Sequence, residues 1–206
     1  MNDYRTIRGT SVAEIEEKHS RFIASAAFAD TEEKALAFLE KIRSENRTAR
    51  HNVFAYCLRE GNRVRYSDDG EPAKTAGTPV LECIQHRELK DVIVVVTRYF
   101  GGILLGTGGL VRAYTAAAGC ALDNARVVTV RACVKCRVTV EYSLYEQAAR
   151  LISAAGARME EPLFTDKVEL AFTLPAGQEE PLIPAFAELT RGGAALMVSE
   201  PFYAPF

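Results

Sequence analysis

The stretch Asp91-Val-Ile-Val-Val-Val-Thr-Arg-Tyr-Phe-Gly-Gly-Ile-Leu-Leu-Gly-Thr-Gly-Gly-Leu-Val-Arg-Ala-Tyr114 decides how this chain is read. Its five consecutive β-branched apolar residues, Val92 to Val96, predict a strand buried on both faces. Five of the chain's 14 glycines then crowd into 101–109, and an alanine-rich run from Leu110 to Leu122 predicts a helix able to lie close to a sheet. A strand, a glycine loop and a helix in that order let backbone amides converge, and a helix N-terminus adds roughly half a positive charge. Such a loop suits a phosphate or a carboxylate. No Gly-Lys-Ser/Thr closes it, so it is not a Walker loop, and the spacing Gly101, Gly102, Gly106, Gly108, Gly109 departs from the dinucleotide fingerprint. Arg98 and Arg112 flank it and can add side-chain charge to Thr107 and the glycine amides. Close packing of the helix on the sheet is the less favoured alternative for the same glycines.

Upstream, Tyr4 to Ile7 and Ser20 to Ala29 read as extended segments joined by the charged Glu14 to Lys18. Asp30 or Thr31 offers an N-cap, and Ala35, Leu36, Phe38, Leu39 and Ile42 recur at helical spacing. Val53 to Leu58 and Arg63 to Ser67 flank Glu60-Gly61-Asn62, a hairpin signal. A long polar segment from Asp68 to Pro79 follows, then a short helix from Val80 to about His86. Downstream, Ala132 to Tyr142 alternates, with Val134, Cys136, Val138, Val140 and Tyr142 facing inward and Cys133, Lys135, Arg137, Thr139 and Glu141 outward. A helix from Tyr145 to Ala155 ending at Gly156, a hairpin around Thr165-Asp166, a helix from Pro181 to Arg191 and a strand from Ala195 to Phe202 complete the order βαββαβ. The fold class is therefore α+β, with an N-terminal β-α domain over 1–130 and a C-terminal ferredoxin-like domain over 131–206.

Composition is that of an ordinary globular chain: 206 residues, 48% hydrophobic and 25% charged. Met1-Asn2-Asp3-Tyr4-Arg5 leads into a polar segment rather than a signal peptide, and no apolar run approaches the ~20 residues that span a bilayer. A cytoplasmic protein that meets no membrane is expected. Five cysteines, an odd number in apolar surroundings, suit reduced and buried thiols. Cys133 and Cys136, three apart in a strand, face opposite ways and would not share a metal or a disulfide.

The formal charge of −2 hides a contrast between the halves. Residues 1–130 hold 18 Lys+Arg against 17 Asp+Glu, whereas 131–206 hold 7 against 10. Arg43, Arg47, Arg50, Arg59, Arg63 and Arg65 share their stretch with only Glu45 and Glu60. That local excess reads either as a nucleic-acid patch or as a solvated face. In Ser67-Asp-Asp-Gly-Glu-Pro72, the carboxylates of Asp68, Asp69 and Glu71 are close enough in sequence to hold Mg²⁺, although an Asx-type turn is the favoured reading. His51-Asn52 precedes a predicted strand, and neither a nucleophile elbow nor a zinc pattern accompanies it. No metal or cofactor is expected.

Taken together, His51-Asn-Val-Phe-Ala-Tyr56, Ser67-Asp-Asp-Gly-Glu-Pro72, Thr75-Ala-Gly77 with Pro79, Val94-Val-Val-Thr-Arg-Tyr-Phe-Gly-Gly102 and Leu105-Gly-Thr-Gly-Gly-Leu-Val-Arg-Ala-Tyr114 resemble the IMPACT family, in its bacterial two-domain YigZ-type branch. The matches cover about residues 15–120. The resemblance implies a first domain similar to a domain of a small-subunit ribosomal protein and of the sugar-type kinases. It implies a second domain similar to the fifth domain of elongation factor G. The family's eukaryotic members regulate translation by binding a protein activator of an initiation-factor kinase. Two residues depart from the usual pattern: Leu104 stands where many members carry a lysine in the glycine loop, and Lys74 where a small residue is common.

The expectation is a translation-associated binding protein whose partner is RNA, the ribosome or a translation-regulatory protein. The expected anion site comprises Arg98, Gly101, Gly102, Gly106, Thr107, Gly108, Gly109, Arg112, His51, Asn52, Asp68, Asp69, Glu71 and Lys74. Arg43, Arg47, Arg50, Arg63 and Arg65 form the expected nucleic-acid patch. The alternative is an enzyme acting on a phosphorylated small molecule or nucleotide, with the loop holding phosphate and an acid acting as base or Mg²⁺ ligand. Binding is favoured over catalysis.

Overall fold

A computed structural model describes residues 3–206; Met1 and Asn2, which head the stretch read above as leaderless, lie outside the described residues. The elements run β1 (Tyr4–Arg8), β2 (Thr10–Glu17), β3 (Ser20–Phe28), α1 (Glu32–Glu45), β4 (His51–Cys57), β5 (Val64–Ser67), α2 (Gly77–His86), β6 (Val92–Tyr99), α3 (Gly106–Asp123) and β7 (Arg126–Val140). They continue as α4 (Tyr145–Ala154), β8 (Arg158–Met159), β9 (Leu163–Phe164), β10 (Val168–Pro175), α5 (Leu182–Leu189), β11 (Met197–Val198) and β12 (Phe202–Pro205). The fold is α+β, and it separates into two compact units, Tyr4–Val128 and Thr129–Phe206, the latter including Asp3.

In the first unit, five antiparallel strands lie in the order β2-β3-β6-β4-β5. The run of β-branched residues in β6 is buried on both faces because it is the middle strand of a three-layer arrangement. Val92, Val94 and Val96 pack with α2 and α3, while Ile93 and Val95 pack with Ala35, Leu39 and Ile42 of α1. Thr31 caps α1 by accepting from the Lys34 amide at 3.3 Å. Alanines 113, 117, 118 and 121 turn α3 toward the sheet, where larger side chains would hold it away.

Three readings of this unit are corrected. The charged Glu14 to Lys18 is not a connector: most of it belongs to β2, and Lys18 and His19 form the turn into β3 with φ of 47° and 63°. Nothing but glycine or asparagine normally signals such a turn, and neither is there. α2 begins at Gly77 rather than Val80. Asp68 supplies what the segment lacks, its Oδ1 accepting from the amides of Ala76 at 3.0 Å and Gly77 at 2.8 Å. Finally, α3 begins at Gly106, so Gly106, Gly108 and Gly109 form its first turn rather than a loop.

In the second unit, β7 pairs antiparallel with β10, β11 and β12, and β10 pairs with β8 and β9. The order βαββαβ read from the sequence holds once β8 with β9, and β11 with β12, are each counted as one broken strand along β10 and β7. One face, carrying Val134, Cys136, Val138, Val140, Val168, Leu170, Phe172 and Leu174, is covered by α4 and α5 through Ala148, Ile152, Leu182 and Phe186. Gly156, at φ 68°, closes α4: its amide donates to Ser153 and that of Ala157 to Ile152, the paired bonds of a Schellman stop. The predicted last strand is interrupted at Ser199-Glu200-Pro201, leaving β11 and β12 on separate stretches of β7. The predicted last helix is likewise shorter, ending at Leu189.

The predicted alternation is imperfect: Cys133 is buried on the face read as wet, and Tyr142, which falls beyond the end of β7 in a short turn, is exposed. Four cysteines are free and buried, and burial pushes their thiols up, Cys136 to about 11. Cys120, expected to be buried, is exposed on α3. Among the described residues, no helix is long and apolar enough to cross a membrane.

Candidate functional site: a cleft at the N-terminus of helix α3

The strand register places Phe22, Arg98 and His51 in one row across β3, β6 and β4. Because side chains alternate along a strand, Arg98 shares its face with Val94 and Val96, on the α2 and α3 side. Its guanidinium is therefore enclosed: the residue is 5% exposed, with its carbon centre 5.3 Å from the Phe22 ring and 5.6 Å from that of Phe100. A buried charge requires a partner. Glu71 supplies it, Oε1 accepting from Arg98 Nη1 at 2.7 Å and from the Tyr114 hydroxyl at 2.8 Å. Arg98 Nη2 donates to Ser20 Oγ at 3.3 Å, and that oxygen also accepts from the Gly101 amide at 3.2 Å. Burial, reinforced by Glu71, pushes the Tyr114 hydroxyl well above its ordinary range, so it remains a donor.

Beside this group lies a cleft of about 400 Å³ lined by Arg50, His51, Glu71, Pro72, Arg98, Phe100, Leu104, Leu105, Gly106, Thr107 and Leu110. The first turn of α3 has no side-chain cap. The amides of Gly106, Thr107 and Gly108 belong to the group that no helix can satisfy internally, whereas Gly109 lies one turn in. Gly106 and Thr107 line the cleft and are exposed. His51 Nδ1 donates to the Asp69 carbonyl at 2.8 Å, which directs Nε2 toward Glu71 Oε1 at 4.0 Å. Arginine charge, helix-terminal amides and an apolar wall of Phe100, Leu104, Leu105 and Leu110 thus meet in one place.

Of the residues singled out from the sequence, Arg98, His51, Glu71, Gly106, Thr107 and Arg50 come together here. The others serve different ends. Gly101 is a packing glycine: a Cβ there would stand 2.0 Å from the His19 carbonyl group. Gly102, at φ 88°, permits the turn after β6. Gly108, Gly109 and Arg112 lie on the first turns of α3 outside the cleft lining, and Lys74 is exposed and also outside it. Asn52 works on the opposite face, accepting from Thr97 Oγ1 at 2.8 Å.

The three acids do not converge on one point. Asp68 accepts from backbone amides, including Lys74 N at 2.9 Å through Oδ2, and Asp69 accepts from Asn52 N at 2.7 Å and Arg43 at 3.3 Å. Among the described residues no cluster of His, Cys, Asp or Glu is arranged to hold a metal ion. The arginine stretch also differs from its sequence reading. Glu40 and Asp69 pair with Arg43, Glu32 with Arg63 and Arg65, and Asp91 with Arg59, so acids outside the stretch offset four of its arginines, while Arg47 and Arg50 stay exposed. Arg50 was read only as part of that patch; its place in the cleft follows from the turn before β4, which no local pattern announces.

The Impact N-terminal domain family matches residues 18–122, and a domain of unknown function, DUF1949, matches residues 138–192. The chain is 32% identical to IMPACT family member YvyE of Bacillus subtilis (strain 168), over 98% of this chain and 94% of that protein. It is 34% identical to IMPACT family member YigZ of Escherichia coli (strain K12), over 93% of this chain and 94% of that one. A crystal structure described as that of a hypothetical protein covers 97% of this chain and 98% of its own, with a TM-score of 0.63 and 32% identity. With the first domain matched over just over half the chain and full-length relatives above 30% identity, the chain belongs to the IMPACT family, in its two-domain bacterial branch.

Proposed function

We propose that this protein is a translation-associated binding protein that holds an anionic group of its partner in the cleft at the N-terminus of α3. The observation that carries the reading is the uncapped first turn of α3 opening beside Arg50 and Arg98. A helix N-terminus and guanidinium groups on one small volume make a standing site for negative charge. The translational setting rests on family membership, and RNA, free or within the ribosome, is the partner whose phosphates fit this chemistry. Binding is favoured over catalysis because Asp68, Asp69 and Glu71 are each engaged by donors of the protein itself.

Fluorescence anisotropy of a labelled single-stranded RNA across a potassium chloride series tests this reading. If the cleft takes one to three phosphates, the log–log slope should lie between about −0.7 and −2. RNA that does not bind even at low salt would overturn it. Affinity capture from lysate before and after nuclease treatment separates an RNA partner from a protein of the translation apparatus.

A further inference from the structure

The cleft has its charge at one end and an apolar wall at the other, and that asymmetry restricts what can occupy it. Arg98 is largely neutralised by Glu71, so the charge left for a ligand is that of Arg50, the α3 N-terminus and the remaining donor capacity of Arg98. Arg98 bears an independent sign of that capacity. It is 5% exposed and lines the cleft, yet its buried Nε has no hydrogen-bond partner among the described residues. A buried donor left unpaired is rare and calls for an acceptor. Beyond this charged end, Phe100, 46% exposed with Arg98 against its ring, and Leu104, 81% exposed, offer apolar surface to the cleft. The volume of about 400 Å³ lies in the range of small-ligand sites rather than of an extended strand groove. The arginines that line it are Arg50 and Arg98, whereas a groove that follows a nucleic-acid backbone needs cations along its length.

We infer that the cleft is a seat for a terminal phosphate monoester carrying one nucleobase, the 5′-phosphate end of a nucleotide, rather than for the internal phosphodiesters of a chain. The inference rests on the anion-binding reading proposed above and narrows it. The phosphate lies against the Gly106 and Thr107 amides, the Thr107 hydroxyl and Arg50, with one oxygen accepting from the unpaired Arg98 Nε, and the base lies along Phe100 and Leu104. A terminal phosphate carries up to two charges where an internal one carries one, which suits a site with few cations and several convergent donors. Its source is either a free mononucleotide or the 5′ end of an RNA.

The test is titration of the full chain at fixed ionic strength with uridine 5′-monophosphate, uridine and inorganic phosphate, together with decauridylate bearing either a 5′-phosphate or a 5′-hydroxyl. The monophosphate should bind at least about tenfold tighter than uridine and than inorganic phosphate, and Arg50→Ala should weaken it about tenfold or more, as expected for one charge-assisted hydrogen bond. Arg50 is exposed, so that variant retains the fold. If the 5′-phosphorylated decamer matches the mononucleotide, the source is a chain end; if it binds much more weakly, the source is a free nucleotide. Equal, salt-dependent binding of the two decamers would overturn the inference while leaving the anion cleft standing. Inorganic phosphate binding as tightly as the nucleotide would overturn the role of the base, and silence from every probe would remove both readings.

Discussion

Arg98, Glu71 and Tyr114 meet where β6, the segment after β5 and α3 converge, and one carboxylate oxygen joins all three. Tyr114→Phe removes a buried donor to that oxygen and should cost about 1–3 kcal/mol, measured by urea denaturation. The same residue sets an alkaline limit. Its hydroxyl ionises above the ordinary range in the fold and near about 10 in the unfolded chain, so the stability it gives is complete below that value and is lost as pH rises through and above it. Tyr114→Phe should therefore flatten the alkaline decline in stability; an unchanged decline would place its cause elsewhere. Leu104→Lys is expected to act in the opposite sense on function. At 81% exposure on the cleft rim it can add a cation without cost to packing, and phosphate affinity should rise several-fold by calorimetry. The sequence pointed to Arg98, His51 and Glu71 by motif, but the bond joining Arg98 to Glu71 spans 27 residues and depends on how the 68–76 turn folds.

At the scale of elements, two turns determine whether the cleft forms. Asp68 accepts from three backbone amides at the approach to α2, so Asp68→Ala strands buried donors and should cost about 2–4 kcal/mol in thermal or chemical denaturation, whereas Asp68→Asn should cost less. Gly101 sits where the chain leaving β6 crosses the β2–β3 turn. A methyl group there would overlap the His19 backbone, so Gly101→Ala should destabilise by several kcal/mol or fail to fold, while Gly102→Ala, with open space but positive φ, should cost only about 1 kcal/mol. Periodicity made α1, β6 and the strand-helix order of the second unit legible because each buries a regular stripe. β2 escaped because its exposed edge carries Glu14, Glu16 and Glu17, which read as connector, and its turn relies on Lys18 and His19 in place of glycine. The start of α3 escaped because glycine is a poor helix former in isolation; tertiary placement overrides that propensity at Gly108 and Gly109, while Gly106 enters the helix at φ 72°, which glycine favours.

For the whole molecule, the arginine excess between Arg43 and Arg65 shows why charge counts along a sequence do not map onto a surface. Glu32, Glu40, Asp69 and Asp91 reach Arg43, Arg59, Arg63 and Arg65 from α1, the turn after β5 and the edge of β6. In the proposed function, the charge that matters is the local set of helix-terminal amides and cleft arginines. The most direct test of that claim is an NMR titration of ¹⁵N-labelled protein with uridine 5′-monophosphate, following the backbone amides residue by residue. The account requires the largest shifts at Gly106 and Thr107, with Arg50 and Arg98 responding in the side-chain region. Binding that leaves those two amides unmoved, or moves amides elsewhere instead, would contradict it.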